Sequence, residues 1–145
     1  MAAAKAAGVT GLDSPNLDGV DRWATEPRRV EKPWGWELIW AVADAYVGKV
    51  LFVKAGESLS LQFHNEKDES WYVQSGKAKL ELGDAGQGLL NSEVVGEGAC
   101  FRYRPGTVHR VTAIEDTTIL EVSTPHLDDV VRLEDRYGRQ GTSEA

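Results

Sequence analysis

Short strand-like segments recur from residue 36 to residue 123, and they limit the possible fold more than any other feature of the chain. Each segment is rich in Val, Leu, Ile and aromatic residues and is bounded by Gly, Asp, Asn or Pro. No stretch of helical periodicity separates them. Many closely spaced strands without intervening helices are typical of an antiparallel sandwich or barrel. The predicted strands are 36–42, 49–54, 58–64, 70–74, 78–82, 99–103, 109–113 and 118–123.

The two ends of the chain differ from this β-rich region. Residues 1–21 mix Ala, Gly, Asp, Pro and Asn without periodicity, which predicts a flexible leader. Residues 22–139 are predicted to form a single domain, and residues 140–145 a flexible tail. The segment 128–137 begins with acidic residues and ends before Gly138, which predicts a short helix. We therefore expect an all-β domain with one short C-terminal helix.

Charge and cysteine content exclude several classes of function. The net charge is −7, whereas binding to a nucleic-acid backbone requires clustered positive charge, so no nucleic-acid partner is expected. No apolar run is long enough to cross a bilayer, and residues 1–9 lack the apolar core of a secretory signal. We expect a cytoplasmic protein without a membrane partner. The single cysteine, Cys100, excludes an internal disulfide and a multi-cysteine zinc site.

Four potential metal ligands lie in strand-like surroundings. Gln62 and His64 are two residues apart, so a strand would point both side chains to one face. Glu69 follows a short polar turn and would lie across a hairpin from that pair, while His109 follows the turn at Pro105. Two imidazoles, one carboxylate and one amide oxygen suit zinc, manganese, iron, cobalt or nickel, with coordination positions left for substrate. Taken singly, each residue is more often an ordinary hydrogen-bonded strand or turn residue.

The glycines around these residues have a spacing that resembles the paired signature of the cupin superfamily. From Gly56 the chain reads five residues, Gln62, one residue, His64, four residues, Glu69, six residues and Gly76. From Gly98 it reads five residues, Arg104, Pro105, Gly106, two residues and His109. Gln62 stands at the first histidine position of the signature, and Arg104 stands at a proline position. The resemblance implies the cupin double-stranded β-helix, a jelly-roll barrel, with one divalent metal ion held by Gln62, His64, Glu69 and His109.

Longer stretches are similar to the type II mannose-6-phosphate isomerase domain. The matching stretches are 32–35, 56–64, 69–76, 105–110 and 128–139. In that family a Gln, a His, a Glu and a distant His bind the metal. The resemblance implies interconversion of mannose 6-phosphate and fructose 6-phosphate through an enediolate, with the metal as Lewis acid. An amide ligand favours a non-redox metal, zinc first. The guanylyltransferase domain that precedes this domain in many relatives is absent from the sequence, so nucleotide-sugar synthesis is not expected.

Candidates for catalysis and substrate binding lie near the predicted ligands. Lys49, Glu121 and Arg110 are candidates for the proton-transferring group because each lies on or beside a predicted strand. Lys49 also fits an exposed strand residue, Glu121 faces either solvent or the barrel interior, and Arg110 is expected to point away from its ligand neighbour. Arg104 and Arg132 are candidates for holding a phosphate, since a guanidinium matches its oxygens, although both also fit solvated positions.

Three functions remain open at this point. The first is a sugar-phosphate isomerase acting on a small-molecule sugar phosphate. The second is a cupin enzyme of another class, such as an iron dioxygenase, but Gln62 counts against it because oxygenases prefer histidine-rich sites. The third is a non-catalytic module that binds metal and sugar, and fold alone does not choose among them. A homodimer is also expected, because exposed strand edges of small barrels are often paired or covered.

Overall fold

The structure is a computed structural model that describes residues 25–84 and 90–142. The predicted leader, residues 1–21, lies outside the described residues. Within the described ranges the chain forms strands and no helix. The strands are β1 (Arg28–Lys32), β2 (Gly35–Val42), β3 (Val47–Val53), β4 (Leu61–Phe63), β5 (Glu69–Ser75), β6 (Lys77–Asp84), β7 (Leu90–Gly96), β8 (Cys100–Tyr103), β9 (Thr107–Ala113), β10 (Thr117–Ser123), β11 (Val131–Glu134) and β12 (Gly141–Thr142).

These strands form two antiparallel sheets of six strands each. The first sheet has the order β1-β2-β3-β10-β5-β8, and the second has the order β12-β11-β4-β9-β6-β7. Strands that are adjacent in a sheet are often far apart in the chain. Strand β10, for example, lies between β3 and β5. The antiparallel all-β prediction is therefore confirmed.

The interior between the sheets has an apolar part and a polar part. The apolar part is a cluster of buried side chains from both sheets, including Leu51, Leu80 and Ile119. Strand β10 illustrates how the sequence produces both parts: Ile119 and Glu121 are buried, while Val122 between Glu121 and Ser123 is exposed. Successive side chains of a strand point to opposite faces, so the same face that supplies core residues also carries Glu121 inward.

All eight predicted strands occur, and four further strands were not predicted. The prediction for 58–64 was too long, since β4 covers only Leu61–Phe63. The additional strands are β1, β7, β11 and β12. Strand β7 is exposed at five of its seven positions, so it lacks the alternation by which a half-buried strand is detected in sequence. Strand β12 lies within the predicted tail, whose residues 143–145 are outside the described ranges.

The predicted helix at 128–137 is wrong, because this segment contains strand β11. Its residues alternate in burial: Val130 and Arg132 are buried, whereas Leu133 is exposed. The strand pairs with β4 on one side and with β12 on the other. The acidic start was a local helix signal only, and pairing with β4 across the domain outweighs it.

A glycine in the second motif brings the two motifs together. Gly106 has a φ of 86°, a backbone conformation that favours glycine, and it forms the tight turn before β9. From this turn the Gly106 amide donates a 2.8 Å hydrogen bond to the carbonyl oxygen of His64. The turn therefore fixes the first motif against the second.

Candidate metal centre

The pairing of strands in the second sheet aligns three of the predicted site residues. Gln62 on β4 is the register partner of His109 on β9, and Arg132 on β11 is the register partner of Gln62. Residues paired in an antiparallel ladder point to the same face of the sheet. The row Arg132, Gln62, His109 therefore lies on one face of the second sheet, and His64 directly follows β4.

The first sheet places its acidic and basic residues opposite this row. Glu121 on β10 pairs in register with Lys49 on β3 and with Trp71 on β5. Glu69, at the start of β5, pairs with Ser123 of β10. Lys49, Glu69 and Glu121 are all at least 95% buried, and all line one pocket between the sheets with Gln62 and His64.

Three ligand atoms meet in this pocket. The Oε1 atom of Glu69 lies 3.2 Å from Nε2 of His64 and 3.1 Å from Nε2 of His109. The ligand atoms of these three buried residues all lie within 4.8 Å of one another. Atoms bound at roughly 2.0–2.2 Å to one metal ion, at tetrahedral or octahedral angles, are about 3.0–3.5 Å apart. The three residues therefore fit a single cation without rearrangement of the backbone.

Backbone carbonyls hold both imidazoles in the orientation that metal binding requires. Nδ1 of His64 lies 2.5 Å from the carbonyl oxygen of Asp129, and Nδ1 of His109 lies 3.0 Å from that of Thr107. A carbonyl oxygen can only accept, so each Nδ1 carries the proton and donates it. The Nε2 lone pairs are then free for a metal ion, which is the usual arrangement of histidine ligands.

Gln62 lies beside this centre, with its amide held by a serine. Its Oε1 accepts a 2.8 Å hydrogen bond from the Ser60 hydroxyl, and its Nε2 lies 3.5 Å from Nε2 of His109. A half-turn of the amide exchanges the two atoms, and the serine hydroxyl can then accept where it donated. The fourth predicted residue therefore fits as an amide-oxygen ligand after that rotation.

Lys67 joins the two buried carboxylates of the pocket. Its Nζ lies 2.9 Å from Oε2 of Glu69 and 3.3 Å from Oε2 of Glu121. Burial disfavours the charge of Lys67, but Glu121 and Glu69 outweigh burial and raise the pKa of the lysine. Burial also opposes ionisation of Glu69, yet the charge of Lys67 holds the pKa of Glu69 well below its usual value. Glu69 is therefore ionised in this pocket.

Glu121 is held in a different electrostatic environment from Glu69. Burial and the charge of Glu69 raise the pKa of Glu121, although Lys67 and Lys49 oppose the rise. The Trp71 indole donates a 3.0 Å hydrogen bond to Oε1 of Glu121 and fixes that carboxylate against the pocket wall. Two neighbouring carboxylates thus have pKa values shifted in opposite directions.

Aromatic rings form the wall behind His109. Tyr103 stacks on His109 with the ring centroids 4.2 Å apart and the planes nearly parallel, and Trp71 meets the same ring edge-on at 5.7 Å. Burial, with the charges of Glu69 and Glu121, raises the pKa of Tyr103. These rings fix the position of the imidazole and keep water from one side of it.

The C-terminal segment fixes the loop between the ligands on β4 and β5. The Asp129 carboxylate accepts hydrogen bonds from the backbone amides of Asn65, Glu66 and Lys67 at 3.0, 2.6 and 2.8 Å. Burial opposes ionisation of Asp129, but these amides hold its pKa below the usual value. Asp129 thus orients His64 through its carbonyl and the following loop through its side chain. The sequence interpretation missed this role, and only its match to the acidic family stretch could have indicated it.

The end of the pocket near β1 and β2 is rich in cations. Lys49 lies 3.4 Å and Lys32 lies 3.9 Å from the two oxygens of Glu37. Arg132 and Arg139 line the same end. Lys32, Glu37 and Arg139 were not recognised as site residues in the sequence, because nothing local distinguishes them from surface charges.

The structure brings seven of the nine predicted site residues together and places two elsewhere. Arg110 is bound to Glu81 and, at 2.9 Å, to Glu134, and it lines a separate groove rather than this pocket. Arg104 is exposed beside the Pro105 turn and does not line the pocket. The residues that do line it are Gln62, His64 and Glu69 together with Lys49, Glu121 and Arg132, and His109 contacts this group through Glu69.

Comparison with known proteins agrees with the predicted family. A family model described as "Mannose-6-phosphate isomerase C-terminal" matches residues 21–135. The chain is 33% identical over 119 residues to mannose-1-phosphate guanylyltransferase ManC of Salmonella typhimurium, which covers 77% of this chain and 23% of that protein. It is 34% identical over 122 residues to xanthan biosynthesis protein XanB of Xanthomonas campestris, covering 80% and 25%. The chain spans about a quarter of the length of these curated relatives.

Solved structures agree with the fold. The capsular polysaccharide assembling protein CapF from Staphylococcus aureus superposes with a TM-score of 0.64 at 17% identity, over 80% of this chain and 34% of that one. A Bacillus subtilis oxalate decarboxylase, described with Mn(II) centres, superposes with a TM-score of 0.62 at 22% identity, over 75% and 30%. At these identities the similarity shows the fold alone, and it confirms the predicted jelly-roll barrel. No helix long and apolar enough to span a membrane occurs in the parts of the chain that the structure describes.

Proposed function

The chain belongs to the mannose-6-phosphate isomerase C-terminal family of cupins, and from this membership we propose that it is a metal-dependent isomerase of sugar phosphates. The reaction is the interconversion of mannose 6-phosphate and fructose 6-phosphate, or of a related aldose and ketose phosphate. One observation carries the proposal: the convergence of His64, Glu69 and His109 at the side of a pocket whose other end is cationic. A redox-neutral proton transfer needs such a polar, enclosed site and no further cofactor.

A bound metal ion would act as a Lewis acid and stabilise negative charge developing on the substrate oxygens. His64, Glu69, His109 and Gln62 would hold it, and we propose zinc as the metal. Manganese, nickel, cobalt and iron remain alternatives, since the mixed nitrogen and oxygen donors suit all of them. The Mn(II) centres of the oxalate decarboxylase make manganese the first of these alternatives to test.

Glu121 is proposed as the group that moves the proton between C1 and C2. It lines the pocket next to Glu69, it is not one of the proposed ligands, and Trp71 and Lys67 fix its two oxygens. Lys49 pairs in register with Glu121 and lines the same pocket. Its ammonium would donate a hydrogen bond to a substrate oxygen as the enediolate forms. The proton taken from one carbon returns to the other and the hydroxyl proton passes between the two neighbouring oxygens, so no external acid or base is consumed.

An isomerase assay of the metal-loaded protein tests this proposal. We expect turnover of mannose 6-phosphate, and we expect Glu121→Gln to lower kcat about 100-fold or more while metal content stays unchanged. Glu93→Gln, an exposed carboxylate on β7, is the matched control and should leave kcat unaltered. Metal binding without turnover by the unaltered protein would contradict the isomerase and support the metal- and sugar-binding module. Metal-dependent oxygen uptake would instead support the oxygenase.

The activity named for the full-length relatives is not proposed for this chain. Guanylyl transfer belongs to the printed names of relatives of which this chain spans about a quarter. The family description instead concerns the isomerase domain, and the matching residues, 21–135, include the four proposed ligands and Glu121. We therefore propose a role in carbohydrate metabolism through the sugar phosphate rather than through the nucleotide.

The homodimer and the cytoplasmic location also stay proposals. The outer face of the first sheet supports pairing of two copies, because Tyr72 and Val122 are 43% and 56% exposed there and Leu120 lies between them in the sheet. Exposed apolar faces of this kind are commonly covered by a partner. Sedimentation equilibrium of the purified chain measures the state directly.

A further inference from the structure

The cations of the pocket are separated from the ligands in both sheets. In the first sheet Glu69 lies on β5, while Glu37 lies on β2 and Lys32 ends β1, which are the two strands at the opposite edge. In the second sheet His109 lies on β9, and Arg132 lies two strands away on β11. The pocket therefore runs from a ligand end to a cationic end, in the same direction along both sheets.

Positive charge is in excess at this end of the pocket. Lys32, Arg132 and Arg139 line it, while Lys49 contacts Glu37 and pairs in register with Glu121. Glu37 is shared between the two lysines, and Asp135 is bound by Arg139 and interacts electrostatically with Arg132. A phosphate monoester carries between about −1.5 and −2 charges at pH 7, so an end of this kind attracts it.

From this arrangement we propose that Lys32 and Arg132 bind the phosphate group of the sugar phosphate, with Arg139 adding charge behind them. The inference rests on the proposed function, since it names the residues that bind the phosphate end of the same substrate. Two strand spacings of about 4.8 Å separate β9 from β11, a span comparable to an extended six-carbon chain that ends in phosphate. The reacting carbons would then lie at the ligand end and the phosphate at Arg132.

Burial and mutual repulsion among the cations at this end favour the binding of an anion. Burial lowers the pKa of Lys32, Glu37 opposes that effect, and Lys49, Arg132 and Arg139 lower the pKa further. Arg132 is only 7% exposed, and a buried guanidinium presents a fixed fork of donors to a tetrahedral anion. A dianion bound here relieves the repulsion among the cations.

The test compares binding of sorbitol 6-phosphate with binding of sorbitol, because neither ligand has a carbonyl group that could be isomerised. Isothermal titration calorimetry on the metal-loaded full chain gives the ratio of the two dissociation constants, which measures preference for the phosphate. We expect a strong preference in the unaltered protein. Lys32→Met and Arg132→Met should each weaken sorbitol 6-phosphate binding about tenfold or more and leave sorbitol binding unchanged.

Matched controls separate a local effect from a general loss of positive charge. Lys54→Met and Arg28→Met remove exposed cations and should keep the preference. Arg132→Lys keeps the charge but not the fork, and should bind sorbitol 6-phosphate between the unaltered protein and Arg132→Met. Thermal unfolding shows whether Arg132→Met is folded. If it is not, Arg132→Lys and Lys32→Met are compared with the unaltered protein instead.

The outcomes distinguish this subsite from the isomerase itself. A phosphate preference that is unchanged in Lys32→Met and Arg132→Met, or is missing from the unaltered protein, overturns the subsite even if mannose 6-phosphate is turned over. A preference that those variants abolish supports the subsite even if no isomerisation is detected. That outcome contradicts only the proposed isomerase reaction.

Discussion

Glu69 links both imidazoles of the centre to Lys67. One oxygen lies 3.2 and 3.1 Å from the ring nitrogens of His64 and His109, and the other lies 2.9 Å from Lys67. The contact between Lys67 Nζ and Glu69 Oε2 is an ion pair without the geometry of a hydrogen bond. Oε2 therefore keeps lone pairs that can accept a further contact. A carboxylate in this position both binds a cation and links it electrostatically to the rest of the pocket.

Loss of a ligand should therefore abolish metal binding while leaving the fold intact. We expect His109→Ala and Glu69→Gln each to weaken metal affinity by more than the roughly 10- to 100-fold that follows loss of a residue supporting a ligand. Glu69→Gln keeps the shape of the side chain and removes only its charge. Metal content after dialysis against a low metal concentration measures the effect, with Glu93→Gln as control. Full stoichiometry in both variants would refute the assigned site.

The residues proposed as ligands could be found from the sequence, but the residues that surround and orient them could not. Gln62 and His64 are two positions apart, and the glycine spacing relates them to Glu69 and His109. Asp129, by contrast, reaches the centre only because β11 pairs with β4, more than sixty residues away in sequence. Contacts made by strand pairing over that separation leave no local pattern in the chain.

At the scale of elements, the segment that contains β11 connects the barrel to its pocket. Asp129 holds the loop before β5, Arg132 lies in register with Gln62, and the Tyr137 hydroxyl accepts a 3.3 Å hydrogen bond from the amide of Ser58. The helix predicted here was wrong for a physical reason. Local charges favour a helix, but pairing with β4, which is distant in sequence, makes the segment a strand. Strands in which buried and more exposed residues alternate, such as β10, were predicted correctly.

The turn after β11 contains a carboxylate whose ionisation should stabilise the fold. Burial opposes ionisation of Asp135, but hydrogen bonds from the side chain and amide of Arg139 hold the pKa of Asp135 below its usual value. Because the pKa is lower in the folded state than in the unfolded state, the stabilisation is present above pH 5 or so. It is lost as pH falls through the folded value.

Asp135→Asn should therefore destabilise the protein in a pH-dependent way. We expect the variant to lose about 1–3 kcal/mol in the free energy of unfolding at pH 7, and the difference from the unaltered protein should shrink below about pH 4. Denaturant unfolding of both proteins between pH 3 and pH 7 measures this, and effects common to both cancel in the difference. Asp128→Asn changes an exposed neighbour and serves as control. A difference that does not vary with pH would contradict the assignment.

For the whole molecule, the centre is a point at which the two sheets are joined. Glu69 comes from the first sheet, whereas Gln62 and His109 come from the second and His64 follows it. Beside this centre, Lys67 of the loop before β5 and Glu121 on β10 add an ion pair that is almost fully buried. A cation bound by residues of both sheets contributes its binding free energy to the stability of the folded barrel, because the unfolded chain cannot assemble the site.

Removal of the metal should therefore lower the unfolding temperature of the entire domain in one transition. At a free metal concentration about 1,000 times Kd, binding stabilises the fold by about 4 kcal/mol, which corresponds to roughly 10 °C for a chain of this size. Calorimetry with zinc and with excess chelator measures the shift, and Glu69→Gln should unfold at the same temperature under both conditions. If the unaltered protein also unfolds at one temperature under both conditions, no cation joins the sheets, and the chemistry proposed for the pocket loses its Lewis acid.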